Sequence, residues 1–211
     1  MKKILLLFLF TFISCGFPYD GETIINLKLK VVNAANEPLE NEKAYIYASY
    51  GDDSFDDSTY KKISNNEGFI NFKMFKPQNS ANLILEESTE YLPVSFYGLN
   101  DDNFAGFEWE LGTLVLLKVD EIIPFTIQLN QISSNKTLAK IEVIAIKYQP
   151  QINLYSENGT DYFEPELYYQ LKKNQSFELK YQTKNTITNE IEYYTVPLII
   201  NDTAIQYTLT Y

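Results

Sequence analysis

Apolar and polar residues alternate with a period of two through most of this chain, and this pattern limits the chain to β-structure. Residues 25–31 (INLKLKV) place an apolar side chain at every odd position and a polar one between. Residues 177–182 (FELKYQ) and 205–210 (IQYTLT) repeat the alternation. Because successive side chains of a strand point to opposite faces, each segment predicts a strand with one buried face. Residues 164–173 are compatible with a short helical turn, and no longer stretch has a convincing helical period.

Short strands separated by turn sequences follow one another along the chain. We predict strands at residues 24–32, 43–50, 59–64, 69–75, 82–86, 92–97 and 112–118, and a second set at residues 122–129, 139–147, 151–155, 175–183, 191–199 and 203–210. Many short strands at this spacing are typical of β-sandwiches. The predicted fold class is therefore all-β, with two consecutive antiparallel β-sandwich domains. Strand count places the first domain at residues 24–119 and the second, immunoglobulin-like domain at residues 120–211.

The chain begins with an apolar leader. Two lysines follow Met1, and residues 4–13 are apolar apart from one threonine. A membrane-spanning helix needs about 20 apolar residues, so this run is too short to span a bilayer. A short basic start followed by about ten apolar residues predicts a secretory signal peptide at residues 1–14.

Cys15, the single cysteine of the chain, follows this leader and stands between Ser14 and Gly16. The arrangement resembles the signal of bacterial lipoproteins, in which the cysteine is lipidated and the leader before it is removed. The resemblance implies a lipid-anchored tether at residues 15–23, attached to the outer membrane of a Gram-negative bacterium. Two or more acyl chains anchor a protein stably without a transmembrane helix. A single cysteine also excludes an internal disulfide.

Two stretches near the N-terminus resemble the carboxypeptidase regulatory-like domain. Residues 31–47 (VVNAANEPLENEKAYIY) carry a turn ending in Pro38 and Leu39, and residues 64–72 (SNNEGFINF) carry Gly68 followed by Ile70 and Phe72. Proline fixes φ in a turn, and glycine permits positive φ between two strands. Asn36 stands where the family usually has glycine, and asparagine tolerates the same left-handed conformation. The resemblance covers residues 24–118 and implies a transthyretin-like sandwich of a Bacteroidota surface protein without catalytic activity.

Charge and composition exclude several classes of function. All 17 basic residues are lysines against 28 acidic residues, which gives a net charge of −11. Such a surface repels nucleic acid. Histidine is absent, which removes Ser-His-Asp and Cys-His catalysis and histidine-ligated metals. Catalysis by paired carboxylates and metals bound by oxygen ligands remain open, so calcium is the one cofactor that we consider.

Two acidic segments of the predicted first domain are candidates for calcium. Residues 51–58 (GDDSFDDS) contain Asp52, Asp53, Asp56 and Asp57, and residues 100–103 (NDDN) contain Asp101 and Asp102. If the strands simply alternate up and down, both segments lie at the same end of the sandwich. Calcium takes six to eight oxygen ligands, so carboxylates and amides gathered there suit it. Solvated acidic loops that increase solubility explain the same residues without a ligand.

Tyrosines concentrate in one segment of the predicted second domain, where Tyr155, Tyr162 and Tyr168 lie near an asparagine and an aspartate. Aromatic rings beside amides and carboxylates suit stacking on sugars, which predicts a carbohydrate site at these three residues. The alternative is that they are core and rim residues, because tyrosine is favoured in strands. In adjacent pairs such as Tyr168-Tyr169 and Tyr193-Tyr194 the side chains point to opposite faces, so at most one of each pair is buried.

These observations favour a non-catalytic lipoprotein of the cell envelope that acts in surface binding, adhesion or as a structural module. Its partner besides the membrane would be a glycan or another envelope protein. The alternative functions are a glycan hydrolase that uses paired carboxylates and a sugar-capture accessory lipoprotein. A hydrolase needs two acids that converge in a cleft, and small sandwiches rarely provide one.

Overall fold

The computed structural model describes residues 23–48, 58–77, 80–99, 107–154 and 165–211. Their strands are β1 Ile24–Val32, β2 Lys43–Ala48, β3 Ser58–Ile63, β4 Phe69–Phe75, β5 Ala81–Leu85, β6 Val94–Leu99, β7 Glu108–Val115, β8 Ile122–Asn130, β9 Lys136–Ile144, β10 Lys147–Tyr148, β11 Gln151–Asn153, β12 Tyr168–Lys172, β13 Gln175–Asn185, β14 Ile191–Ile200 and β15 Ile205–Thr210. The all-β prediction is confirmed. Within these ranges the remaining regular element is a 3₁₀ turn at Val119–Glu121, and no helix could cross a membrane.

The first pair of sheets encloses the larger of two cores. One sheet has the strand order β4-β1-β7, and the facing sheet has the order β11-β6-β5-β2-β3. Buried and exposed residues alternate along β1, β2 and β5, as the sequence pattern predicts. Their buried side chains, together with those of β4, β6 and β7, form one cluster around Trp109. We call this unit the first sheet pair.

The second pair of sheets encloses a separate core. Its sheets have the orders β10-β12-β8-β15 and β14-β13-β9. Three rings lie together at its centre, with the Phe125 centroid 5.1 Å from that of Phe177 and 6.2 Å from that of Tyr169. Aliphatic residues of β8, β9 and β12 to β15 surround them. We call this unit the second sheet pair.

Three of the four sheets are mixed, so the prediction of antiparallel sandwiches is wrong for them, whereas the sheet β14-β13-β9 is antiparallel throughout. β1 pairs with β7, β6 with β11 and β8 with β15 in parallel. Parallel neighbours need a connection of a dozen or more residues, and each of these pairs is far apart in the chain. The strands joined by short turns, such as β13 and β14, do pair antiparallel. The alternation of residues specifies a buried face but does not specify the direction of the neighbouring strand.

Residues 148–154 join the two sheet pairs. The strand predicted at 151–155 in the second set is β11, which adds to the edge of β6 in the first sheet pair. The Tyr148 hydroxyl donates to the Pro93 carbonyl at 2.9 Å, and Ile152 and Leu154 pack against the first core. The possible helical turn at 164–173 is wrong, because Tyr168–Lys172 is strand β12.

Two turns of the first sheet pair share one hydrogen-bond pattern. The side-chain oxygens of Asn33 and Asn65 each accept from the backbone N–H groups two and four residues later, at 2.8–3.1 Å. The fourth residue of each turn has positive φ, 64° at Asn36 and 79° at Gly68. A Cβ at Gly68 would lie 2.4 Å from the Val31 carbonyl oxygen. Glycine is therefore required there both by the backbone conformation and by the close approach of β1.

Candidate functional site

The outer face of the five-stranded sheet carries aromatic and polar side chains in rows. Strand register aligns residues of β3, β2, β5, β6 and β11 across this face, and the alternate residues of β2, β5 and β6 are buried in the core. The rows are Ile63-Lys43-Glu86, then Lys61-Tyr45-Ile84-Ser95-Gln151, then Thr59-Tyr47-Asn82, which meets Tyr97-Asn153 across a β-bulge between Ala81 and Leu83. We call this surface the tyrosine face, after Tyr45, Tyr47 and Tyr97.

Two of the three tyrosines form a pair on β2. Tyr45 and Tyr47 are two residues apart and therefore lie on the same face. Their rings meet edge to face, with centroids 5.0 Å apart and an interplanar angle of 80°. Tyr47 remains 48% exposed. The pKa of Tyr45 is raised, mainly by burial and further by Tyr47 and Glu86. The face therefore presents two adjacent aromatic rings.

Amide groups lie beside the rings. Asn82 stands next to Tyr47 across the β2–β5 pair, and its side-chain oxygen accepts from the Gly98 N–H at 3.3 Å. Gln151 and Asn153 of β11 are exposed at the far edge of the same face. Amides both donate and accept hydrogen bonds. Rings with such neighbours can hold a ligand that has an apolar surface and many hydroxyl groups.

A depression of about 500 Å³ lies at the β3 end of the tyrosine face. Its lining includes Tyr45, Ile63, three lysines and Glu86, and the lysines are Lys43, Lys61 and Lys62. Ile63 is 59% exposed although it belongs to a strand. This end of the face therefore combines apolar surface with positive charge.

Tyr168 is the residue of the predicted carbohydrate site that the structure describes. Its side chain is 52% exposed on β12, whereas the adjacent Tyr169 is buried and its hydroxyl donates to the Glu166 carbonyl at 2.9 Å. The prediction that such neighbours point to opposite faces is confirmed. Tyr155 and Tyr162 lie outside the described residues, so their proximity to Tyr168 remains a prediction.

The predicted lipidation site and the predicted calcium ligands also lie outside the described residues. These are Cys15, Asp52, Asp53, Asp56, Asp57, Asp101 and Asp102. The strand ends that precede the two acidic segments are in one row, because Ala48 pairs with Ala81 and Ala81 with Leu99. That row spans two strand spacings, or about 9.6 Å. Within the described ranges no group of three acidic or cysteine side chains could hold a metal ion.

A buried carboxyl, that of Glu42, lies directly before β2 in the first sheet pair. Glu42 is 9% exposed, and its pKa is raised, mainly by burial and also by Glu90, while a hydrogen bond from Ser88 opposes the shift. Glu90 itself is paired with Lys118 at 2.6 Å. Since Lys118 directly precedes the 3₁₀ turn, this cluster ties the 86–92 connection to the junction between the sheet pairs.

Two tyrosines of the second sheet pair, Tyr181 and Tyr194, contact other side chains of the same sheet. The rings of Tyr181 and Tyr194 stack with centroids 4.6 Å apart at 10°. The Tyr194 hydroxyl donates to the Glu192 carboxylate, which also pairs with Lys136 at 2.5 Å. Lys136 and then Tyr194 lower the pKa of Glu192. These tyrosines, Glu192 and Lys136 therefore contact one another, whereas the side chains of the tyrosine face point outward.

Sequence reasoning missed the tyrosine face. The segment KAYIYA places Tyr45 and Tyr47 at alternate positions against the apolar Ala44, Ile46 and Ala48. This spacing signals that both rings leave the core. Tyr97 and the amides join them only through strand pairing between distant parts of the chain, which no local pattern contains.

No family model matches this chain, and no curated protein matches it. The resemblance to carboxypeptidase regulatory-like domains therefore remains a prediction. Among solved structures, the chain is distantly similar to the TIE protein of Bacillus anthracis, with 13% identity and a TM-score of 0.31 over 89% of this chain and 34% of that one. A streptococcal ancillary pilin gives 12% identity and a TM-score of 0.29 over 89% of this chain and 62% of the pilin.

A DUF3823 family protein from Parabacteroides merdae is similar at 11% identity and a TM-score of 0.28, over 83% of this chain and 98% of that protein. This chain spans only about a third of the Bacillus protein and less than two thirds of the pilin. At these identities and TM-scores the similarities carry no argument about activity or ligand.

Proposed function

We propose that this chain is a non-catalytic lipoprotein of the cell envelope, built as two consecutive β-sandwiches, whose tyrosine face binds carbohydrate. The observation that carries the proposal is the outward placement of Tyr45, Tyr47 and Tyr97 on one sheet beside amide side chains. A sheet needs apolar residues only on its buried face. Aromatic rings gathered on the opposite face support a role in binding.

A flat sheet face suits a sugar chain better than it suits a small compact ligand. Four strand spacings of about 4.8 Å give the five strands a width of about 19 Å. Along one row, a chain laid across the strands would meet Tyr47, Asn82, Tyr97 and Asn153 in turn. Rings and hydrogen-bonding amides thus alternate at intervals set by the sheet.

The location of the protein is a separate part of the proposal. Lipid on Cys15 would leave a tether of residues 15–23 before β1 begins at Ile24. Cys15→Ser should abolish incorporation of labelled palmitate and release the protein from the membrane fraction. Membrane-bound, labelled Cys15→Ser protein would contradict the anchor without bearing on the tyrosine face.

Binding is tested with the purified chain on an array of neutral and acidic glycans. Tyr47→Ala should weaken binding to any retained glycan about five- to thirtyfold, because an exposed aromatic anchor contributes on the order of 1–2 kcal/mol. Tyr193→Ala is the matched control, since Tyr193 is 73% exposed but lies on β14 of the other sheet pair. Thermal unfolding should be unchanged in both variants.

Two results would reject the binding proposal. One is an array on which no glycan is retained by the folded chain. The other is retention that Tyr47→Ala and Tyr193→Ala reduce equally, since this would show that binding does not depend on the tyrosine face. Capture of an envelope protein that is lost with Tyr47→Ala, and without any glycan binding, would favour the structural role instead.

A further inference from the structure

The lysines at the β3 end of the tyrosine face point to the charge of its ligand. We infer that the face binds an acidic polysaccharide, with sugar rings on the tyrosines and the sugar carboxylates at Lys43 and Lys61. This inference rests on the proposed carbohydrate binding and adds the chemical class of the glycan. It is carried by the register of the strands and by the distribution of charge around the depression.

Register brings the lysines directly beside the aromatic rings. Lys61 of β3 lies opposite Tyr45 of β2, and Lys43 lies two residues before Tyr45 on the same face. Lys62 lines the same depression from the edge strand. A sugar that stacks on Tyr45 therefore has one lysine on the neighbouring strand and another two residues away on the same strand.

The charge of this depression is opposite to that of the whole protein. Three lysines and one glutamate line it, in a chain whose net charge is −11. Lys118, Lys136, Lys140 and Lys180 each have a carboxylate within 4.0 Å. For the lysines of the depression, no carboxylate of the described residues lies that close.

Screening keeps this local charge effective despite the acidic surface elsewhere. At physiological ionic strength the Debye length is about 8 Å, so exposed charges further away contribute little. Among the described residues that line the depression, Glu86 is the one carboxylate, against three lysines. A carboxylate of a ligand at the depression would therefore meet a net positive charge.

The surroundings of the lysines favour a glycan over an acidic peptide. Tyr45, Ile84 and Ile63 give the lysine end an apolar floor. Asn82 and Asn153 continue the face with amides that match hydroxyl groups. An extended peptide adds instead to an open strand edge, where main-chain hydrogen bonds hold it. The charge and the rings lie on the face of the sheet.

The test compares one polymer with and without its charge. Polygalacturonate and alginate are measured by calorimetry against the same polymers with their carboxylates reduced to alcohols. We expect the acidic forms to bind at least tenfold more tightly, and this preference to shrink between 50 and 300 mM salt. The double variant Lys43→Gln/Lys61→Gln should lose about three- to tenfold in affinity for the acidic forms, because exposed ion pairs contribute modestly.

Lys73→Gln/Lys184→Gln is the matched control, since both lysines are exposed on strands β4 and β13 outside the tyrosine face. It should bind like the original chain.

Equal binding of acidic and reduced polymers, with loss on Tyr47→Ala, would overturn the acidic preference and leave carbohydrate binding standing. Absence of binding to acidic and reduced polymers, and to every glycan on the array, would overturn both. Equally tight binding of polyglutamate that is insensitive to Tyr47→Ala would overturn the inference in favour of an acidic protein.

Discussion

The two sheet pairs place their aromatic residues differently. In the first sheet pair β2 buries only small and aliphatic side chains, and its two tyrosines lie outside. In the second sheet pair three rings, Phe125, Tyr169 and Phe177, occupy the centre of the core. The first core also contains nearly twice as many buried residues among those described. Four of the 19 buried residues of the first core are aromatic, against three of the ten buried residues of the second. The smaller core therefore depends more on its rings, and the tyrosines of β2 are not needed for packing in the larger one.

This difference shows that tyrosine abundance does not locate a binding site. Tyr45 and Tyr194 both lie in strands with alternating burial, yet one ring faces outward and the other stacks on Tyr181. The two tyrosines differ in their position in the alternation of their strands. Tyr45 lies between buried residues of β2, whereas Tyr194 is two residues from the next inward-facing position of β14. Shifting the alternation by one residue exchanges the buried and the exposed face of a strand.

The largest expected effect tests whether rings hold the second core together. Phe125→Ala removes a fully buried ring that contacts both Tyr169 and Phe177. We expect a loss of about 3–5 kcal/mol in the free energy of unfolding, the usual cost of truncating a core phenylalanine. Urea denaturation followed by circular dichroism measures it.

Phe107→Ala is the control for that variant, because Phe107 is 66% exposed. Its stability should change by less than about 0.5 kcal/mol. If the two variants lost similar stability, Phe125 would not be the centre of a packed core, and the contrast between the sheet pairs would fail.

The next effect tests the turn on which the first core depends. Gly68→Ala adds a Cβ 2.4 Å from the Val31 carbonyl oxygen at a residue with φ of 79°. Strained positive φ alone costs about 1–2 kcal/mol for a non-glycine residue, and the backbone clash adds to it. We expect a total loss of about 3 kcal/mol or more, measured by the same urea denaturation.

Gly112→Ala separates these two contributions. Gly112 has φ of 76°, but a Cβ there meets nothing within 4 Å. Its replacement should therefore cost only the conformational part, about 1–2 kcal/mol. If Gly68→Ala and Gly112→Ala lost equal free energy of unfolding, the backbone near the Val31 carbonyl would have moved to accept the Cβ without cost.

Local sequence predicted the strands well and their pairing poorly. The bounds predicted for β1 and β4 agree with Ile24–Val32 and Phe69–Phe75, because alternation is unbroken there. The predicted strand at 112–118 begins four residues too late. Glu108 and Glu110 flank Trp109, which is fully buried. Because β7 begins with these charged residues, its first half was not predicted as a strand.

The parallel pairs and the position of β11 could not be predicted from local sequence. Both depend on which strands are neighbours in space, and that choice is made by packing between distant segments. Gln151–Asn153 has the short alternation of any edge strand, and nothing in it indicates β6 as its partner. The tyrosine face depends on the same long-range pairing, since β11 and β6 supply Asn153 and Tyr97.

The smallest expected effect tests the inward and outward assignment within one adjacent pair. Tyr169→Phe removes the hydroxyl that donates to the Glu166 carbonyl and should cost about 1 kcal/mol at pH 7. Tyr168→Phe, at a 52% exposed position, should cost nothing measurable. Urea denaturation gives both values, and equal costs would contradict the burial of Tyr169.

The pH dependence of the same pair gives a second, independent measurement. Burial, with a smaller contribution from Glu166, raises the pKa of Tyr169 from 10.0 to about 12. The folded state therefore holds this proton more tightly than the unfolded state, so its contribution to stability is complete below pH 10 and is lost between pH 10 and about 12. Tyr169→Phe should reduce that alkaline loss, measured by urea denaturation below pH 10 and again between pH 10 and about 12. An equal alkaline loss in the original chain and in Tyr169→Phe would contradict the burial of this phenol.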